Sequence, residues 1–389
     1  MSAHVGHCSA SSIAAYKSCP QRYRLRYVEG LTEAVKPELL RMGTAWHRGL
    51  EVLAWPVGTG IESFDPDAAL IDLTEENRLE LAIESATRVY ETIPDWADPT
   101  EWAVERETLA NALAAYHWLY RDQNEYEVVA TELSFELPLV NPETGRPTPN
   151  MVRVGKIDQI LRRKNTGVLL IGEHKTTSKP IDSDSSYWGR LRLDTQSKFY
   201  IVAARDCQDA GQIQSEPNHT NMVSGLLHDV FHKPQISPKK LTMAESAEFV
   251  KTGEYCGQQF GTRLMMPGYV EVGGERAEAE PGKKEGTFAL RETPGMFGAR
   301  LLQDMTTRPE VYFARREIAF TDQELEAFRH QTWALQRNMC EMERTGYWFQ
   351  NEEQCEATFK CCYCSICYNN VDTTQGQTPP GFKRNERTN

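Results

Sequence analysis

Two carboxylates and an amine stand close together in one stretch of the chain. Met151 to Thr177 reads MVRVGKIDQILRRKNTGVLLIGEHKTT and contains Asp158, Glu173 and Lys175. Oxygen ligands of this kind suit a hard divalent cation such as Mg²⁺ or Mn²⁺, which keeps several of its own waters. A cation held there would lower the pKa of a water, polarise a phosphoryl oxygen and stabilise a leaving oxygen. Phosphodiester hydrolysis needs those three services, and an amine beside the reacting group would steady the phosphate charge.

The elements that must position these groups can be read from the same stretch. Val152 to Leu161 alternates before turning apolar, Lys164-Asn165-Thr166-Gly167 is a turn, and Val168 to Ile171 is a branched-apolar run. This pattern predicts a β-hairpin. Residues two apart on a strand lie roughly 6.6 Å from each other on the same face. Glu173 and Lys175 therefore point together, His174 points back toward the core, and Asp158 faces them from the partner strand.

Further candidates lie on the flanking segments. Leu39 to Leu53 reads as a helix with Gly43 and His47 on one face, and Trp188 to Ala204 as an amphipathic helix capped near Asp194, with Gln196 and Tyr200 on one face. Glu125 to Leu139 alternates as a strand that puts Glu132 and Glu136 on the same side. Near the start, Ser11-Ser12 suits a helix N-cap. Cys19-Pro20 then opens a second helix in which Arg22, Arg24 and Arg26 alternate with Tyr23 and Tyr27. Arginines and rings so interleaved suit phosphate contact and base stacking, as they equally suit an apolar stripe with a solvated cationic face.

Composition bounds the reading. The chain has 389 residues, 40% hydrophobic content and a net charge of -12, enough for one large core or two modest ones. No apolar run approaches the roughly 18 residues of a membrane span and the N-terminus lacks signal-peptide character, so a cytoplasmic protein without a membrane role is expected. The acidic balance argues against coating nucleic acid along the whole surface, while leaving room for local basic contacts such as Arg190 and Arg192 or Lys233 to Lys240. Of ten cysteines, five (Cys355, Cys361, Cys362, Cys364 and Cys367) crowd into one short segment, a spacing that binds zinc or an iron–sulfur cluster.

Gly-x-Ile-Asp at 155–158 followed by Glu-x-Lys at 173–175 resembles the active-site signature of the PD-(D/E)xK nuclease superfamily, with Ile157-Asp158 where Pro-Asp is usual. The Cys19-Pro-x-x-Tyr, Gly43-x-x-x-His47 and Gln196-x-x-x-Tyr200 motifs, with the cysteine tail, are similar to those of its RecB-type, iron–sulfur-bearing members. The resemblance covers roughly Ser11 to Cys367. It implies an α/β fold, a restriction-endonuclease-like core with a mixed central sheet flanked by helices, and a metal-dependent deoxyribonuclease, more an exonuclease than an endonuclease, acting on DNA ends or single strands in recombination, repair or phage DNA processing. His47, Asp158, Glu173 and the His174 carbonyl would hold Mg²⁺ or Mn²⁺, Lys175 would act beside the metal, Gln196 and Tyr200 would orient the strand, and Glu132 would border the site. Cys19, Cys355, Cys361 and Cys367 would hold a [4Fe–4S] cluster, with Cys362 and Cys364 as alternates and Zn²⁺ as the other occupant. A recombinase, helicase or single-strand-binding protein would be a fitting partner. A catalytically weak DNA-end or single-strand binding subunit is the alternative, and intact Asp158, Glu173 and Lys175 weigh against it.

One nuclease domain is expected over 1–372. Within it, 58–120 reads as an acidic helical insertion anchored by Trp96, Trp102 and Trp118, and 246–298 as a flexible excursion. Val223 to Lys240 reads as a strand leading into a basic loop, Glu310 to Phe320 as a strand, Thr321 with Glu324 as a capping box for a helix through Met342, and 373–389 as a disordered tail.

Overall fold

The computed structural model describes residues 6–34, 38–61, 70–123, 125–213, 222–265, 268–357, 360–373 and 378–385. A mixed six-stranded sheet carries the fold: β1 (Gly6–Cys8), β2 (Tyr126–Val140), β3 (Pro147–Arg163), β4 (Leu169–Thr177), β5 (Gly225–His232) and β6 (Phe313–Ala319). β2 runs antiparallel along one side of β3. On the other side, β3 is shared by β1, parallel at Met151–Arg153, and β4, antiparallel at Gln159–Arg162. β4 then pairs with β5 in parallel and β5 with β6 antiparallel.

The register of β4 creates the cleft. Its last rung with β3 is Gln159 opposite Gly172, after which β4 leaves β3 and continues beside β5 alone, as far as Thr177 opposite His232. The sheet is therefore split just where Asp158 and Glu173 stand on its two lips. β5 is buried at every position, which suits a strand covered on both faces.

Helices cover the two faces. Ala10–Ser18, Thr195–Asp209 and Asp322–Thr345 pack one face through a core that includes Ile13, Ile157, Ile171, Phe199, Val230 and Phe328. Glu38–Ala54, Pro99–Tyr120 and Pro294–Thr307 pack the other through Trp46, Leu50, Leu113, Phe231, Phe297 and Phe313. Trp46 stacks on Phe231 at 4.4 Å and meets Tyr116 edge-on at 5.5 Å. A buried aromatic so placed contributes on the order of 3–5 kcal/mol against truncation, and it fixes the turn of helix that carries His47.

Several local expectations hold. The hairpin turn lies at Lys164–Gly167, Asp194 caps the Thr195–Asp209 helix by accepting from Ser197 N, and Thr321 with Glu324 forms the capping box. That last helix runs on to Thr345 and stops at Gly346, whose φ is +75°, a conformation glycine adopts at no steric cost.

Others are corrected. The 246–298 stretch is folded: Met243–Thr252 is a helix with its own capping box, and Thr262–Met265, Tyr269–Val272, Glu275–Pro281 and Phe288–Leu290 make a four-stranded antiparallel sheet. Phe249, Val270, Val272, Leu290 and Met296 give this subunit its own small core, supplied by residues too widely spaced to register as periodic. In the acidic insertion only Trp102 is an anchor, 6% exposed, whereas Trp96 and Trp118 lie 56% and 48% exposed. The first helix begins at Ala10 with Ser9 as its cap. The 310–320 strand starts only at Phe313, after a helical turn at Pro309–Tyr312. The tail is not wholly without structure, since Phe382–Arg384 pairs with Leu31–Glu33 and Phe382 stacks on Tyr363 at 5.5 Å.

Candidate active site

At the split, the pleat does what the sequence pattern predicts. Glu173 and Lys175 share a face, with Lys175 Nζ 2.7 Å from Glu173 Oε1. Lys175 also donates to Gln196 Oε1 at 2.6 Å, which ties β4 to the second residue of the Thr195–Asp209 helix. Asp158 accepts the His174 backbone N–H at 3.1 Å, and His47 Nδ1 lies 3.3 Å from the same Asp158 oxygen. His47 thus arrives from a helix on one face of the sheet and Gln196 from a helix on the other. Both reach the reactive lips only because the sheet is open there.

Burial sets the protonation balance. Glu173 is 2% exposed, and loss of water raises its carboxyl to about 7 against the pull of Lys175. Burial works against the Lys175 ammonium as well, yet the Glu173 carboxylate outweighs it and holds Lys175 above its ordinary value. Burial would raise Asp158, but the hydrogen bond and charge of His47, together with the charge and backbone N–H of His174, outweigh it and keep that carboxyl below the usual range. Burial, at 6% exposure, holds the His174 imidazole below its ordinary value against the pull of Asp229 and Asp158.

Among the described residues no three His, Cys, Asp or Glu side chains are gathered as a preformed metal cage. The donor chemistry nonetheless fits a hard cation: Glu173 Oε2 is buried without a hydrogen-bond partner, and a buried polar atom left so is costly unless something satisfies it. The Asp158 carboxylate stands on the facing lip, and the His47 side chain beside it keeps 38% of its surface open to solvent.

The remaining expected residues are placed unevenly. Tyr200 packs beside the site, with Phe135 6.3 Å away edge-on. Glu132 falls between the Thr131–Gln159 and Leu133–Ile157 pairs of the β2–β3 register, level with Asp158, but has φ +51° and gives its carboxylate to Lys156. Arg22 lines the cysteine cavity, Arg24 is paired with Glu29 at 2.8 Å, and Arg26 is exposed. Arg190 is exposed, whereas Arg192 pairs with Glu324 at 3.4 Å. In the loop after β5, Lys239 and Lys240 face Glu245 and Glu280, so that stretch offers less free charge than expected. At Gly43 a Cβ would meet only Thr176 Oγ1 at 3.6 Å, whereas at Gly49 it would come within 2.7 Å of Leu113.

The packing role of Gly155, and His228, Asp229 and Arg315 altogether, were not read from the sequence. Gly155 is required by its neighbours, since a Cβ would fall 2.5 Å from Phe135 Cζ and 3.3 Å from Tyr200 Cε1. His228 stands in register with Glu173, fully buried, and burial lowers it to about 4. Behind the site, His174, Asp229 and Arg315 form one row across β4, β5 and β6. Arg315 Nε donates to Asp229 at 2.9 Å and its Nη2 to Tyr116 at 2.7 Å, while Tyr116 bonds the same carboxylate. The available signal was His228-Asp229 in the middle of an otherwise apolar strand.

Among the described residues, cysteines from both ends of the chain face one cavity without closing into a preformed metal site. Cys19, Cys355, Cys361, Cys364 and Cys367 line one cavity of about 100 Å³, and Cys362 is not among its lining residues. Asn351 Nδ2 donates to Ser18 O at 2.9 Å and its backbone N–H to Cys19 Sγ at 3.4 Å, so the tail is seated on the first helix. Cys361 is lowered to about 6, chiefly by the thiol of Cys362, whereas burial pushes Cys367 up to about 11. Soft thiolate donors in this number suit iron–sulfur or zinc.

No helix among the described residues is long and apolar enough to cross a membrane. No individual curated protein matches the chain closely enough for comparison. The family model of the PD-(D/E)XK nuclease superfamily matches residues 7–368, a span that takes in the split sheet, both helices that reach it and the cysteine cavity, and the chain belongs to that superfamily.

Proposed function

We propose that this nuclease is a divalent-metal-dependent deoxyribonuclease of the RecB type, acting as an exonuclease on DNA ends or single strands in recombination, repair or phage DNA processing. The observation that carries the reading is the meeting of His47, Asp158, Glu173, Lys175 and Gln196 at one split in the sheet, from four separate elements.

Asp158 and Glu173, with His47 and the His174 carbonyl, would hold Mg²⁺ or Mn²⁺, which when bound supplies a lowered water pKa and charge stabilisation at the phosphate. Lys175 stays protonated through Glu173 and is aimed by Gln196, so its ammonium is fixed where it can orient a water or offset developing phosphate charge. Such preorganised charge in a dry cleft is worth far more than the same charge in water. Tyr200 and Gln196 would hold the scissile strand against the Thr195–Asp209 helix. Cys19, Cys355, Cys361 and Cys367, or Cys364 in place of one of them, would hold a [4Fe–4S] cluster, with Zn²⁺ as the alternative. The acidic chain, in which Arg24, Arg192, Lys239 and Lys240 are each paired with a carboxylate, favours ends and single strands over duplex interiors and fits a subunit working beside a recombinase, helicase or single-strand-binding protein.

The test is cleavage of end-labelled linear and covalently closed circular DNA, with and without Mn²⁺, beside Asp158→Asn. Metal-dependent loss of the linear substrate alone, abolished by the substitution, is expected. Equal activity on the closed circle would make the enzyme an endonuclease, and activity untouched by Asp158→Asn would move the chemistry elsewhere.

A further inference from the structure

Two exposed aromatic side chains lie outside the catalytic cleft, on either side in sequence of a tryptophan that joins a stack of partly buried rings. After the helix stop at Gly346, Tyr347, Trp348 and Phe349 follow in a stretch without regular structure. Tyr347 is 83% and Phe349 58% exposed. Trp348 rests on Tyr23 with ring centroids 5.7 Å apart, Tyr23 stacks on Tyr27 at 5.5 Å, and the exposed Arg26 lays its guanidinium over Tyr27 at 5.4 Å. Large exposed apolar patches mark contact surfaces far more often than isolated exposed rings do.

We infer that this surface is a stacking platform for the bases of single-stranded DNA, a reading that rests on the nuclease function proposed above and extends its substrate path. Continuity with the cleft is the first argument. Tyr23 meets Tyr16 edge-on at 5.7 Å, and the next residue, Lys17, donates through Nζ to Thr195 Oγ1 at 2.9 Å. Thr195 is the residue before Gln196, which holds Lys175. A strand leaving the cleft along the start of that helix would pass the exposed Lys17 and arrive at the rings.

Charge is the second argument. Arg26 and Lys17 can each meet one phosphate, whereas Glu343 stands close to Tyr23 and Glu352 and Glu353 follow the aromatic run. Acidic neighbours disfavour a duplex backbone laid along the surface, but they do not impede stacking, because every base presents a π-face. Contact through bases with few phosphates also gives weak dependence on salt.

Fluorescence anisotropy with the full-length protein in EDTA tests this, using a labelled oligothymidylate and an abasic oligomer of equal length. Wild-type protein should bind oligothymidylate well and the abasic oligomer weakly. Tyr347→Ala with Phe349→Ala, two exposed side chains whose loss leaves the fold intact, should weaken oligothymidylate binding by about tenfold or more per ring, with the abasic oligomer unaffected. Arg26→Ala should weaken both. Equal wild-type affinity for the two oligomers, or undiminished oligothymidylate binding by the double variant, overturns the platform. Cleavage of the same oligothymidylate by wild-type protein with Mn²⁺ is scored separately: base-dependent binding without cleavage leaves the platform standing and removes the nuclease mechanism.

Discussion

Lys175 and Gln196 join two layers of the molecule through one hydrogen bond, 2.6 Å long, between a strand on one lip of the split sheet and the first turn of the helix packed over it. The ammonium is held at the same time by Glu173 at 2.7 Å. Its position is therefore fixed from two directions before any substrate arrives, and neither anchor depends on a mobile loop.

Asp158→Asn, Glu173→Gln and Lys175→Ala should each reduce DNA cleavage by at least about a hundredfold, the scale on which a key electrostatic group acts. Lys175→Ala should still bind Mn²⁺, because both carboxylates remain. Gln196→Ala should cost less, since Glu173 continues to hold the ammonium. Circular dichroism checks the fold and single-turnover cleavage the rate. Wild-type rate in any of the first three removes this cleft from the mechanism.

Glu173 also predicts a pH dependence. Its folded value of about 7 lies above the ordinary 4.5 of a free glutamate, so the folded protein holds this proton more tightly than the unfolded chain does. The stability that follows is fully present below about pH 4.5 and is lost as the pH rises through about 7. A shift of that size corresponds to about 3 kcal/mol. Glu173→Gln has no such proton, so in metal-free buffer wild type should lose stability relative to the variant across this window. Urea unfolding at pH 5 and pH 8 reads the difference, and parallel pH profiles for the two proteins would show that Glu173 titrates as an ordinary exposed carboxyl.

Gly155→Ala should destabilise by about 1–3 kcal/mol, the usual cost of overpacking, because its Cβ would press on Phe135 and Tyr200. Phe135→Leu should relieve part of that cost when the two are combined, giving the non-additivity expected of neighbours. Strict additivity in thermal unfolding would mean that the ring is not what excludes the methyl group.

Much of this site was legible because its parts obey short-range rules. The pleat alone puts Glu173 beside Lys175, the helical repeat alone puts Gln196 beside Tyr200, and the turn at Lys164–Gly167 brings Asp158 back to face them. What was not legible depends on long-range register. Nothing local says that β4 abandons β3 at Gly172, which opens the cleft, or that Asp229 will lie between His174 and Arg315. The small sheet after Met243 was missed for a related reason. Its strands have short burial patterns and Gly-rich turns, and their core closes only when Phe249 and Met296 arrive from flanking helices.

The cysteine cavity yields the last prediction. Cys19 comes from the first helical segment and the other four lining thiols from the tail, and the two regions are already clasped by Asn351 on Ser18 and by Tyr363 on the Leu31 carbonyl at 2.7 Å. Protein purified without oxygen should be brown, absorb near roughly 400 nm and carry about four irons per chain, as thiolate-ligated clusters do. Cys19→Ala should bleach it and lower the melting temperature, because a bond network closing so long a loop is lost together with its entropic advantage. The fold should survive that loss in part, since the hydrogen bonds between the two ends remain. Cys362→Ala should keep its colour, because Cys362 is not among the residues lining the cavity, whereas Cys361→Ala and Cys367→Ala should lose it. Iron and zinc analysis of each variant decides the matter. Stoichiometric zinc without iron, indifferent to Cys19→Ala, would make the tail a self-contained zinc site and leave the first helix held by hydrogen bonds alone.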